Sequence, residues 1–267
     1  MPNHNQLDIR IHGPVGATAV VYLPGLHGDW TLIGSFREAL GERVRFLEIA
    51  YPDTLTWSLE EHAVAIETAL GNNGISRAWL LGESFGSQLA WIILARARLQ
   101  VDGVILAGGF VQHPAQWAAR LSAWCGERIP IGLMKLLLVG YAKLAAWRFR
   151  KHPETVDGIQ RYVDTLTEDR RKALVYRLQL VSRSDLRATA RRIHTPVFAL
   201  TGLWDPIVPW VPVRTWLKKQ CPALKEYKVL WQADHNVLGT GGTKAAELVL
   251  GWTGAEQLQY GGKLQDG

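Results

Sequence analysis

Residues 82–86 read Gly82-Glu83-Ser84-Phe85-Gly86, directly after the apolar run Ala78-Trp79-Leu80-Leu81 and directly before an apolar-periodic stretch. A serine bounded by glycines in this way predicts a tight turn from a strand into a helix. The turn leaves room only for small residues on both sides. It forces the serine into a strained backbone conformation and exposes its hydroxyl at the helix N-terminus.

The surrounding chain supplies the alternation that such a turn requires. Short β-branched or apolar runs at 7–12, 18–23, 44–49, 78–81 and 101–106 alternate with helical patterns at 32–40, 58–70 and 85–97. That order predicts βαβ units and a mostly parallel sheet flanked by helices. From 111 to 192 strand patterns stop and helical ones rich in Trp, Arg and Leu take over. A strand at 197–201, a helix at 211–219, a strand at 227–231 and a helix at 243–252 then restore the alternation, ahead of a polar, frayed tail at 254–267. The expected organisation is an α/β core domain built from 1–110 and 193–267, with a helical insertion at 111–192.

At 267 residues, with 48% hydrophobic and 20% charged residues, the chain can bury a large core and is neither disordered nor fibrous. Cys125 and Cys221 lie far apart without ligand spacing, so they read as free thiols rather than a disulfide or zinc framework. Residues 1–10 lack the basic and apolar regions of a secretory signal, which points to the cytoplasm. The longest apolar stretch, 131–147, carries Lys135 and Lys143 and is expected to be a buried or groove-lining helix, not a membrane span.

A serine nucleophile needs a base to take its proton and an acid to orient that base, here in the chain order serine, acid, histidine. Asp205, in Gly202-Leu203-Trp204-Asp205-Pro206, and His235, in Ala233-Asp234-His235-Asn236, follow two late strands, so their loops can meet Ser84 at one sheet edge. Asp234 is the competing acid, but neighbouring side chains on a turn rarely face each other, which favours Asp205. The negative charge that develops on a substrate carbonyl oxygen needs two backbone N–H donors. Phe85 supplies one and Leu26, in Leu23-Pro24-Gly25-Leu26-His27-Gly28, the other.

With these parts in place the chain resembles the α/β-hydrolase superfamily from Thr18 to Trp252. The Leu23–Gly28 segment looks like that superfamily's oxyanion loop, with Pro24 where many members have His. The resemblance implies that 111–192 is a cap over the active site. One strand instead of a hairpin precedes Thr18, so the sheet is expected to be one strand short. Asp234 and Ser87 stand where Gly is common, and Ser84 disfavours members with an aspartate nucleophile.

The expected activity is a serine hydrolase cleaving a carboxylic ester through an acyl-enzyme, with no metal or organic cofactor. The same triad also suits a thioester, a carbon–carbon bond or acyl transfer, and a non-catalytic small-molecule-binding member of the fold is the alternative from another class. The net charge of +6 is concentrated in the insertion: residues 148–192 hold twelve Lys or Arg against six Asp or Glu. This basic face could steer an anionic substrate or touch a membrane; the plainer reading is a solvated, partly paired surface. No stacking platform accompanies it, so no nucleic acid is expected. The 12 Trp, with Trp117, Trp124 and Trp147 in the insertion and Trp30, Trp204 and Trp210 near the site loops, suit a small substrate with an apolar acyl or aryl group, although core packing explains most of them equally well.

Overall fold

The structure, a computed structural model, describes residues 6–148 and 153–255. Its core is a seven-stranded sheet in the order β1-β3-β2-β4-β5-β6-β7. The strands are β1 (Asp8–His12), β2 (Ala19–Leu23), β3 (Arg45–Ala50), β4 (Arg77–Glu83), β5 (Gln100–Ala107), β6 (Val197–Gly202) and β7 (Leu224–Leu230). Only β1 runs antiparallel, against β3; all other pairs are parallel. Among the described residues one strand, β1, precedes β2, as expected.

The parallel strands β2, β4, β5 and β6 are buried along most of their length, in agreement with their unbroken apolar runs. Helices α1 (Gly34–Leu40), α2 (Leu59–Asn72) and α3 (Phe85–Arg96) connect the first half. Ser58 is not the first residue of α2 but its N-cap: its hydroxyl accepts from the Glu61 N–H, while the Glu61 carboxylate accepts from the Ser58 N–H. Among the described residues, α4 (Gln116–Arg128), α5 (Ile131–Arg148), α6 (Pro153–Thr165), α7 (Glu168–Arg183) and α8 (Arg187–Arg192) lie between β5 and β6. The helix α9 (Trp210–Gln220), the short α10 (Val237–Thr240) and α11 (Gly242–Thr253) are the last helices among the described residues. The expected tail beyond residue 255 lies outside the described residues.

Two expectations are met only in part. The 131–147 stretch forms a helix, α5, whose inner side is partly buried through Leu138, Val139 and Tyr141, while Leu133, Leu136, Leu137 and Leu144 are exposed. Its composition signals burial, yet α6 covers only one side of it. The basic insertion is not simply a solvated face either. Arg171 and Arg177 are buried, Arg171 in a fork on Glu168 and against the Gly126 carbonyl, Arg177 against the core. Part of the positive charge is thus structural.

Beneath the start of α3, His62 packs edge-on against Tyr51, Phe85 and Trp57, with centroid distances of 5.3 to 5.8 Å. Its Nδ1 meets the Ser58 carbonyl at 2.8 Å. Burial pushes its pKa down to about 4. The unfolded chain takes up this proton near 6.5 while the folded chain holds it off until about 4, so in that window the unfolded state binds more protons and stability is lost as the pH falls. The expected loss is on the order of 3 kcal/mol. Denaturant titrations at about pH 7 and pH 4 on the wild type and His62→Gln test this; an undiminished pH dependence in the variant would place its origin elsewhere.

Candidate active site

The serine turn has the strained geometry its sequence demands. Ser84 lies at φ +46° and ψ −110°, one of two non-glycine residues with positive φ among those described. A methyl group on Gly82 would approach the Ser87 Cα to 2.8 Å, and one on Gly86 would collide with the Leu23 carbonyl oxygen. Both positions therefore have to be glycine for β4, the turn and β2 to approach this closely. The Ser84 N–H bonds the Ala107 carbonyl at 3.0 Å, which ties the turn to the end of β5. Ser87 adds a second tie: its hydroxyl donates to the Ser84 carbonyl at 2.6 Å and accepts from the Phe110 N–H at 3.1 Å. The departure at Ser87 thus braces the turn rather than loosening it.

Because β2, β4, β6 and β7 are parallel, the loops that follow them emerge at one edge of the sheet. Three predicted side chains come together there. The His235 Nε2 lies 3.0 Å from the Ser84 Oγ, and the His235 Nδ1 lies 2.8 Å from the Asp205 Oδ2. Donation from Nδ1–H to the carboxylate leaves Nε2 as the acceptor facing the hydroxyl. The Asp205 carboxylate is fully buried and held by the N–H groups of Ile207 at 2.9 Å and Val208 at 2.8 Å. The Asp-Pro turn thus fixes the acid's orientation.

Asp234 turns away from His235. Its buried carboxylate accepts from the Tyr141 hydroxyl at 2.5 Å, the Thr240 hydroxyl at 3.0 Å and the Asn236 N–H at 2.9 Å. It therefore joins α5 to the histidine loop.

Burial by itself would lower the His235 pKa, since it penalises the imidazolium. The Asp205 charge and hydrogen bond, with Glu83 and Asp234 behind, outweigh it and raise the pKa above 6.5. Glu83, the variable residue of the serine turn, is itself buried and accepts from the Tyr22 hydroxyl.

Of the two N–H donors, Phe85 opens α3, and its N–H is one of the first-turn donors without a partner inside the helix. The loop carrying Leu26 passes close by: a methyl on Gly25 would stand 3.5 Å from the Ser84 Cβ. Its conformation is fixed by groups that sequence reading did not single out. The Tyr51 hydroxyl donates to the Pro24 carbonyl at 3.1 Å, and the Arg177 guanidinium donates to the Leu26 carbonyl at 3.0 Å and the Pro52 carbonyl at 2.9 Å. Two helical turns earlier on the same face of α7, Arg170 reaches Asp29 at 3.3 Å. The spacing of these two arginines was the available signal, but their acceptors are mostly backbone carbonyls, which leave no mark in a sequence.

The tryptophans divide. Trp204 and Trp210 bond carbonyls of the β6 and β7 loops, at 3.0 and 3.3 Å, whereas Trp117 and Trp124 are 72% and 54% exposed. The side chain of Trp147 lies outside the described residues. Among the described residues no group of three His, Cys, Asp or Glu is placed to hold a metal ion. No described helix is long and apolar enough to cross a membrane.

A parallel-sheet core with a strained serine at its carboxyl edge defines the α/β-hydrolase class. More narrowly, residues 49–240 match the profile of the Hydrolase_4 family, described as serine aminopeptidase, S33, and the chain belongs to that family. No curated protein matches the chain significantly. Among solved structures, a thermophilic esterase from Thermogutta terrifontis is similar at 19% identity and TM-score 0.74, over 92% of both chains. An enol-lactonase from Burkholderia xenovorans LB400 is similar at 17% identity and TM-score 0.75, over 92% of this chain and 95% of the other. A meta-cleavage product hydrolase is similar at 15% and TM-score 0.73, over 93% and 94%. At these identities the likeness carries the fold alone.

Proposed function

We propose that the protein is a serine hydrolase cleaving carboxylic esters through an acyl-enzyme, with residues 111–192 acting as a cap over the site. The observation that carries this reading is the hydrogen-bonded chain Ser84–His235–Asp205, at 3.0 and 2.8 Å, on a serine held at positive φ. In this reading His235 takes the Ser84 proton as the hydroxyl attacks the ester carbonyl, and Asp205 stabilises the imidazolium that forms. The N–H groups of Leu26 and Phe85 receive the oxyanion. His235 then gives its proton to the departing alkoxide, and water repeats the cycle on the acyl-enzyme. No step calls for a cofactor.

A second reading keeps the triad and changes the bond, and the enol-lactonase and meta-cleavage product hydrolase among the similar structures favour weighing it. Turnover of matched 4-nitrophenyl esters, thioesters, a vinylogous diketone and an aminoacyl 4-nitroanilide separates these. The ester reading expects the first to give the highest kcat/KM; a preference for the diketone or the anilide would replace it.

The base must be neutral to act, so kcat/KM is expected to rise with pH along a limb whose midpoint lies above 6.5. Asp205→Asn removes the charge that raises this pKa. The midpoint should shift to lower pH while kcat falls by about 10⁴. An unmoved midpoint would mean that Asp205 does not govern His235.

A further inference from the structure

Helix α5 is apolar on both sides. Its inner side packs on α6, and the partly buried Leu138, Val139 and Tyr141 join the small cluster around Ile159 and Val163. Its other side presents Leu133, Leu136, Leu137 and Leu144, exposed by 46%, 66%, 57% and 60%, at the i, i+3, i+4 and i+11 spacing of a single face. A helix that is hydrophobic all round normally lies within a protein core or a lipid phase, and α5 is only half covered by protein. The helix just before it, α4, also shows large apolar side chains to solvent, Trp117, Leu121 and Trp124, at 72%, 53% and 54%.

The charge on these two helices is one-sided. Residues 116–148 contain Arg120, Arg128, Lys135, Lys143 and Arg148 against the single acid Glu127. Arg128 lies over the Trp124 ring at 4.0 Å from its centroid, while Lys143 is exposed beside Leu144. Exposed leucine and tryptophan bordered by lysine and arginine suit a surface with an apolar interior and an anionic rim.

From this combination we infer that the outer face of α5, with the neighbouring apolar residues of α4, docks on anionic phospholipid membranes, lying in the interface rather than spanning it. A second copy of the chain is the weaker occupant. A two-fold interface would set the cations that border this face, Arg128 and Lys143, against their own copies. The inference goes beyond the proposed ester hydrolysis and does not depend on it.

Flotation of the purified full-length protein with vesicles tests it. Binding is expected to phosphatidylcholine–phosphatidylglycerol vesicles and to weaken steeply with salt, and little binding is expected to pure phosphatidylcholine. Leu136→Asp/Leu137→Asp should weaken binding by more than about tenfold, because two leucines leave the lipid. Arg128→Gln and Lys143→Gln should each weaken it about fivefold. Both leucines are exposed, so the double variant should keep its circular dichroism, its Tm and its turnover of a soluble ester. No flotation with anionic vesicles would overturn the inference, as would equal flotation of the wild type and the double variant. Sedimentation showing a dimer that the double variant abolishes, without vesicle binding, would assign the face to a second copy instead.

Discussion

Ser84→Ala is expected to lower kcat on a good ester substrate by about 10⁴-fold to 10⁶-fold while KM and the folded structure hold, because the interaction it removes exists only as the bond to the acyl carbon forms. His235→Ala should cost nearly as much, and the double variant little more than either, since a nucleophile and its base act as one unit. The structure makes this a clean comparison. The Ser84 hydroxyl is bonded to His235 and not to the core, while the backbone of the turn is held by the Ala107 carbonyl and by Ser87. Alanine inherits the same φ of +46°. Its Tm should therefore move little. A variant keeping activity within about tenfold of the wild type would remove Ser84 from the chemistry.

The second large effect concerns Arg177, which touches none of the three triad residues. Its side chain is 2% exposed, and it joins α7 to the Leu26 and Pro52 carbonyls, with Asp53 at 3.9 Å and the Tyr51 ring at 5.5 Å from the guanidinium carbon. Burial lowers its pKa, and the surrounding carboxylates and phenols partly offset that cost. Arg177→Met would leave two carbonyls without this donor and would free the loop that carries the Leu26 N–H. We expect a stability loss of about 1 to 3 kcal/mol, the general cost of leaving a buried acceptor without its donor. We also expect kcat to fall by about 10²-fold, the lower range for losing one oxyanion donor, with KM changing far less. Arg177→Lys keeps a charge but only one compact donor in place of the fork, so it should recover stability more than kcat. Equal recovery of both would make Arg177 a structural residue only. Thermal unfolding and steady-state kinetics on the same preparations decide.

These two residues also mark what a sequence of this kind reveals. Ser84 was legible because its constraint is local: strand, glycine, serine and glycine fall within a few residues, and nothing else satisfies the close contacts at Gly82 and Gly86. Asp205 and His235 followed from topology, since parallel strands deliver the loops after them to one edge. Asp234 could be set aside on turn geometry, but its part in holding Tyr141 was not visible, because the partner lies 93 residues away. Arg177 was hidden for the same reason, 151 residues from Leu26 and bonded to carbonyls that every residue possesses. Helix α5 was read only in part, on a different ground: apolar composition says that a helix seeks an apolar surrounding, without saying whether protein supplies it on both sides.

The central claim is that Ser84 is an activated nucleophile, and covalent labelling with a fluorophosphonate probe followed by peptide mass spectrometry tests it without a choice of substrate. The adduct is predicted on Ser84 in the wild type, with the label abolished in His235→Ala under the same conditions. An unlabelled but folded wild-type protein, or a label that persists unchanged in His235→Ala, would contradict the account and bring forward a non-catalytic, ligand-binding role for the site.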